Sequence, residues 1–457
     1  MFDIRTGTYE GREKNLWIGT IGGGLTRLKE GPFTTISKQE GLSNNSVRAL
    51  CEGMDGSIWV GTENGLNRYK DGRLTIYTKG DGLAGNNIRI LCSDREGNIW
   101  IANMEGGVTR FKDGRFQVFT SKDGFPEDIV TAMYAANDGS LWLSAPPRID
   151  RSREIPALIF RYKDGKPASY SLAEASLKFF VTAMAEDRNG VMWFGSPDGK
   201  LSTFSDSTFK PYRVQGMQSD LFLTGIYPDK DGLIWISGLG TAGLIRIQDG
   251  KATVHPGASG SLKGDLYSVV GDDIGNLWLN SSKGVLSFCK KEIAQSAAGD
   301  TSTLDPRIYG VADGMKSAKS YFIYGESPLK STDGRIWFPT QRGVAVVDPA
   351  HMRINEIVPA VMIEEVVVGS EAIDLDRPID LTPGIGTIQF RYSALSYTAV
   401  ERVRFKYMLL GFDKDWIYAE QRREAFYTNL PPGQYQFHVI ACNNDGIWND
   451  AGASLSF

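Results

Sequence analysis

A chain of 457 residues, 41% of them apolar, can bury a large core, and its 52 glycines favour tight turns over long helices. A net charge of −4 provides no basic footprint for nucleic acid, and four cysteines are too few for a disulfide scaffold. No apolar run approaches the roughly 18–20 residues of a membrane span, and no signal-peptide pattern follows Met1.

From the N-terminus onward one repeat dominates. Nine of the ten tryptophans follow Leu, Ile or Met, and eight of them recur at a regular spacing: Trp17, Trp59, Trp100, Trp142, Trp193, Trp235, Trp278 and Trp337. Their spacings are 42, 41, 42, 51, 42, 43 and 59, so two units carry insertions of about 9 and 17 residues on a period near 42. One unit reads Ser46-Val47-Arg48-Ala49-Leu50-Cys51-Glu52, Asp55-Gly56, Ile58-Trp59-Val60-Gly61-Thr62, Asn64-Gly65, Leu66-Asn67-Arg68-Tyr69, Asp71-Gly72 and Leu74-Thr75-Ile76-Tyr77. These are four short β-rich runs, and the Asp-Gly and Asn-Gly breaks suit hairpin turns with both central residues at positive φ. Apolar residues at alternate positions (Val47, Ala49, Cys51; Ile88, Ile90, Cys92; Val181, Ala183, Ala185) mark a first strand with one buried face. A four-stranded unit of this length is a propeller blade. The recurrent Trp then fills the gap between blades. Cys51 and Cys92 share a repeat position with Ala185 and Val270, which makes them small core residues.

The last unit has a first strand near Ser327 to Lys330, then Ile336-Trp337-Phe338 and Val344-Ala345-Val346-Val347, but no fourth strand. Phe33 to Ser37 is the first fourth strand available to close it. From Phe33 to Pro349 the chain has room for seven 42-residue units plus both insertions. The expectation is an all-β, seven-bladed β-propeller over residues 31–355, with an eight-bladed ring as the alternative. Residues 1–30 are then left-over strands of a preceding propeller, or the first blade of eight.

Two departures from the repeat are candidate ligand sites, because long loops on a rigid scaffold often carry function. One is the basic insertion Ala145 to Arg153, with Arg148 and Arg151. The other runs from about Glu292 to Gly325, with Arg307, Tyr309, Tyr321 and Tyr324. Arginine forks and tyrosine faces suit sugars. The alternative for both is a solvated loop with edge-packing tyrosines.

Beyond Pro359 the 42-residue period ends. Val361 to Val366, Ile388 to Tyr392, Val403 to Tyr407 and Tyr435 to Val439 read as strands, with Leu430-Pro431-Pro432-Gly433 as a turn. Residues 356–457 form an Ig-like β-sandwich, and the chain ends inside an apparent strand, so the natural protein is expected to continue. Units such as Asn15-Leu16-Trp17-Ile18-Gly19-Thr20, Asp81-Gly82-Leu83 and Asp333 to Thr340 resemble two-component regulator propeller repeats. Tyr407, Gly411-Phe412-Asp413, Trp416, Tyr427, Pro431-Pro432-Gly433, Tyr435 and Asn444-Asp445-Gly446 resemble the triple-tyrosine (Y_Y_Y) domain, with Tyr407, Tyr427 and Tyr435 as the naming tyrosines. Those three are expected in the sandwich core. The resemblance implies an extracytoplasmic or periplasmic sensor region, often with two seven-bladed propellers and often responsive to carbohydrate, followed by a membrane span and a signalling output beyond residue 457.

The reading is therefore a non-catalytic ligand-sensing region with no cofactor and no metal. Its expected partners are an oligosaccharide or other small ligand, and a second copy docked through the sandwich, but no nucleic acid. A protein-binding scaffold is the second reading, and a propeller glycosidase or lyase the third. Ser93-Asp94-Arg95-Glu96-Gly97-Asn98-Ile99-Trp100 looks like the Asp-box of sialidase propellers, yet its Asp-to-Gly spacing is three, and that box is a turn device remote from catalysis. His255, read in a loop, His351 after the last blade and His438 on a sandwich strand have no metal-ligand spacing. No nucleophile elbow or phosphate loop occurs.

Overall fold

The computed structural model describes residues 16–20, 24–28, 31–126, 129–150, 153–213, 221–255, 264–295, 306–320, 327–353, 355–375, 381 and 386–457. Residues 31–352 make one compact unit, while 1–30 and 353–457 make another.

The larger unit is a propeller of seven four-stranded antiparallel sheets. The first strands of the blades are Val47–Glu52, Ile88–Ser93, Ala132–Ala135, Ala183–Glu186, Leu223–Pro228, Leu266–Gly271 and Leu329–Lys330. Six blades are continuous in sequence. The seventh takes its outer strand, Phe33–Ile36, from the other end of the unit, pairing Phe33 with Val347 and Ile36 with Val344. The ring thus closes at seven, and the eight-bladed alternative falls because the strand it needs elsewhere is already paired.

The tryptophans lie between blades, as expected, and the seven in this unit are at most 5% exposed. Trp59 meets Phe111 of the next blade at 4.9 Å, Trp142 meets Phe204 at 4.8 Å, and Trp337 meets Tyr69 at 5.8 Å across the closure. The Asp six residues before Trp, reached by the turn, holds the indole: Asp94, Asp187, Asp229 and Asp272 accept from the Nε1–H of Trp100, Trp193, Trp235 and Trp278 at 2.8–3.0 Å. In blade seven Ser331 Oγ takes that role for Trp337. Cys51 is buried, Cys92 packs on the next cluster, and burial pushes both thiols up.

Turn chemistry divides into two kinds. At Asp71-Gly72, Asp113-Gly114 and Asp249-Gly250 both residues have positive φ, as hairpins of this type require. At Asp55-Gly56 and its equivalents only the glycine does. There the preceding carboxylate folds back, with Asp55 Oδ1 accepting from Ser57 N–H at 3.1 Å. Each outer strand of blades one and two leads into a capped single turn. Thr78 and Asp81 bond reciprocally, Gly82 ends the turn at φ 111°, and Leu83 drops into the core.

Two sequence expectations change here. Arg307–Tyr309 is the outer strand of blade six and not part of a loop, since Val285 pairs with Tyr309 and Ser287 with Arg307. The insertion therefore sits between the third and fourth strands and opens with the short helix Lys290–Gln295. His255 ends the outer strand of blade five and is fully buried.

In the second unit, strands Leu16–Thr20 and Gly24–Leu28 pair with Trp17 opposite Arg27. This is the register of a blade's second and third strands, where Trp59 faces Arg68 and Trp100 faces Arg110. The sandwich has two four-stranded sheets. One orders Glu371–Ala372, Ala360–Val368, Thr387–Leu395 and Glu424–Thr428; the other orders Ile417–Glu420, Arg404–Leu410, Gln436–Cys442 and Trp448–Ser456. Phe390 and Phe437 stack at 4.0 Å across the core. Tyr407 and Tyr427 are buried beside them, as expected, and Tyr435 closes the Pro431 turn by donating to the Pro431 carbonyl at 2.7 Å.

Candidate functional site

The inner strands of successive blades pack against each other around the propeller axis. At the end where each inner strand begins, two sets of connections gather: those entering the inner strand and those joining the second strand to the third. Here the pairing of first and second strands slips by one residue in four blades, skipping Arg48, Arg89, Thr224 and Tyr267. A bulge of this kind re-aims a side chain out of the strand's alternation. All four stand eleven positions before their blade's Trp.

What fills that position differs round the ring. In blades three to five it is Thr131, Thr182 and Thr224, whose hydroxyls bond backbone. Thr182 Oγ1 donates to Leu223 O at 2.7 Å and Thr224 Oγ1 to Leu266 O at 2.8 Å, each tying one inner strand to the next. In blades one and two the position holds Arg48 and Arg89. Arg48 pairs with Glu63 in its own blade and donates from Nη1 to Asn87 Oδ1 at 3.1 Å, in the connection entering blade two. Arg89 is 6% exposed and points Nη1 at Met104 Sδ, 3.3 Å away. Beside them lie Asn103, buried at the end of the second strand, and Glu105 in the connection that follows. A methyl on Gly85 would overlap the Glu105 carboxylate as it is placed and stand 3.1 Å from Asn103 Oδ1, so both side chains lie close over this glycine. The result is two guanidinium groups, two carboxylates and two amides gathered at one junction of the ring. Such a set can grip a polar ligand by forked hydrogen bonds. It holds no nucleophile–base pair.

At the opposite end, Asp187, Arg188, Trp193, Tyr212, Asp229 and Asp249 line a cleft of about 110 Å³ between blades four and five. That is well below the roughly 300–1,000 Å³ of ordinary ligand pockets.

The sequence candidates fare unevenly. Arg148 opens a two-stranded hairpin, Arg148–Asp150 with Arg153–Ile155, in the second-to-third connection of blade three, at the same end as Arg48 and Arg89. Arg151, Tyr321 and Tyr324 lie outside the described residues. Arg307 is half-buried on the outer strand of blade six. Tyr309 is corrected: it is 3% exposed, stacks on Trp278 at 5.6 Å and meets Phe33 at a tilt at 5.3 Å, so its ring faces core and not ligand. The residues missed, Arg48 and Arg89, were visible as arginines at a repeat position that blades three to five fill with threonine.

Among the described residues no cluster of His, Cys, Asp and Glu could hold a metal, and no helix is long and apolar enough to cross a membrane.

Comparison with known proteins places these elements. The two-component regulator propeller family matches residues 41–64, 82–105 and 180–198, and the Y_Y_Y domain matches 396–457. The first two stretches run from the capped turn through the inner hairpin and hold the Arg48–Glu105 cluster. The extracellular domain of a hybrid two-component system from B. thetaiotaomicron superposes with a TM-score of 0.72 at 22% identity, over 97% of this chain and 60% of that one. A catalytically inactive virginiamycin B lyase from Staphylococcus aureus, in a structure with quinupristin, gives 0.51 at 15% identity, over 69% of this chain and 98% of that one. A histidine kinase P4 of Formosa agariphila is 24% identical over 204 residues, 42% of this chain and 14% of its own length. The chain therefore spans only part of the first two-component relatives it matches.

Proposed function

We propose that this chain of two-component regulator propeller repeats and Y_Y_Y domain is the extracytoplasmic ligand-sensing region of a bacterial signal-transduction protein, and that it binds a saccharide without altering it. The observation that carries the reading is the Arg48–Glu63–Asn87–Arg89 junction, where the repeat abandons its structural threonines for charged, hydrogen-bonding side chains. Sugars present hydroxyls that both donate and accept, and a mixed array of guanidinium, carboxylate and amide answers both. The hairpin starting at Arg148 stands at the same end of the ring. The absence of a nucleophile–base pair at the junction favours binding over turnover. The paired strands Leu16–Thr20 and Gly24–Leu28 keep the register of a blade's second and third strands, which favours reading them as part of a preceding propeller.

A thermal-shift screen tests this with defined oligosaccharides: α-glucan, β-mannan, xylan, pectin and glycosaminoglycan fragments. Binding to the native state adds about 2.7 kcal/mol at a hundredfold excess over Kd. A hit should be recovered uncleaved by chromatography, and Arg48→Ala with Arg89→Ala should weaken it. Shortened glycan would sink the non-catalytic reading, and a hit indifferent to both arginines would move the site elsewhere.

A further inference from the structure

In four of the seven blades the side chain three residues after the Trp has a shared task, while Ala145 and Gly238 hold that position in blades three and five without a hydroxyl. Thr62, Ser281 and Thr340 each donate from the hydroxyl to the carbonyl three residues on, at 2.7–2.9 Å, closing the connection to the third strand. Ser196 bonds across a connection one residue longer, to the Lys200 carbonyl four residues on at 3.2 Å. Blade two places an amide there. Its connection is as long as that of blade four, with Gly106 and Gly107 both at positive φ, and the position is occupied by Asn103. Asn103 is 1% exposed, yet neither Oδ1 nor Nδ2 has a hydrogen-bond partner among the described residues. Buried amides are almost always paired, and among the described residues with an unpartnered buried polar atom Asn103 alone has two, both ends of its amide, a costly arrangement. It faces Gly85, whose missing Cβ leaves space that Asn103 Oδ1 and the Glu105 carboxylate share.

We propose that Asn103 is the ligand-selecting residue of this site, and that it takes a vicinal pair of sugar hydroxyls, one donating to Oδ1 and one accepting from Nδ2. The inference rests on the saccharide-binding reading above and adds the residue that chooses the sugar. A planar amide offers one acceptor and a donor side by side, and adjacent hydroxyls return the complementary pair. Met104 and Glu105 stand between the buried amide and solvent, at the start of the Gly106-Gly107 turn, and the proposed contact requires them to move aside. A sugar that lacks one of the two hydroxyls leaves the amide half unpaired, so discrimination against deoxy analogues is strong.

The test uses Asn103→Leu, close to isosteric and unable to hydrogen-bond, with Asn103→Ala as a second variant should leucine fold poorly. The probes are the wild-type hit from the oligosaccharide panel and its deoxy analogues. Expected are an unchanged or higher melting temperature without ligand, because an unsatisfied amide has been replaced by hydrocarbon, and binding weaker by at least about tenfold. The deoxy analogue should bind wild type and Asn103→Leu alike. A lower melting temperature in both variants would overturn the inference, as would retained affinity, or an ordered water bonded to both amide atoms in a high-resolution crystal structure of the unliganded protein. Failure of the whole panel against wild type would instead remove the saccharide reading, and this assignment with it.

Discussion

Asp229 shows how much one side chain carries here. Its Oδ1 accepts the N–H groups of Asp231 and Leu233 at 2.9 Å, while Oδ2 accepts from Trp235 Nε1 at 3.0 Å and from Lys290 Nζ at 3.1 Å. The carboxylate is fully buried, and Lys290 comes from the next blade. Burial pushes the Asp229 pKa up, but the indole, backbone and ammonium donors outweigh it and hold the group below the usual carboxylate range. A lowered folded pKa means stability that is present above the unfolded value near 3.9 and lost as pH falls through the folded one. Asp229→Asn should therefore be less stable than wild type at neutral pH, with the gap in denaturant melts closing in acid; a gap constant with pH would refute the pairing. Lys290→Met should cost about 3 kcal/mol, as breaking a buried pair does. The Asp-to-Trp spacing was legible in the sequence as a resemblance to a turn device. The lysine 61 residues away was not, because nothing local marks a partner supplied by a neighbouring blade.

At the scale of elements, period-two alternation located the inner strands and the sandwich strands, since each has one buried face. The same alternation hid the candidate site. A bulge inserts a residue that alternation has no place for, so Arg48 and Arg89 read as the polar face of a strand and not as side chains turned toward the ring's mouth. The insertion at 292–325 misled for a related reason: a three-residue outer strand, Arg307–Tyr309, is too short to show a period. A different element is held by a motif whose role the sequence left open. Asn443 is fully buried; its Nδ2 donates to the carbonyls of Asn355 and Ile357, and its Oδ1 accepts from Asp445 and Ile447 N–H at 2.9 and 3.1 Å. Asn355 answers by donating from its backbone to Asp445 and from its side chain to Asn444. The segment leading into the first sandwich strand is thus strapped to the loop before the last. Asn443→Ala should destabilise the sandwich by about 2–3 kcal/mol, because buried carbonyls and N–H groups lose their partner together. Hydrogen exchange should speed up at both 355–359 and 443–449; protection unchanged at 355–359 would count against the strap.

For the whole molecule, the decisive element is the closing strand. Phe33–Ile36 joins the ends of a unit more than three hundred residues long, and Phe33 is 3% exposed among Trp278, Tyr309 and Phe338. Lys316 reinforces the seam, reaching Ser37 Oγ and the Glu40 carboxylate at 2.8 Å. Strands Leu16–Thr20 and Gly24–Leu28 take no part in the seven sheets. Two perturbations a few residues apart should therefore have opposite consequences for the propeller. Phe33→Ala removes a buried ring from the join and should cost roughly 3–5 kcal/mol, the usual figure for truncating a core phenylalanine. Deleting residues 1–30 leaves every blade with four strands, so the propeller's melting transition should barely move. In an eight-bladed ring the order would reverse, because the deletion would strip strands from a closed circle and expose two sheet edges. Denaturant and thermal melts of the two variants, followed by tryptophan fluorescence from the blade indoles, separate these outcomes. A deletion variant that is insoluble or melts far below Phe33→Ala would show that the ring does not close where Phe33 meets Val347.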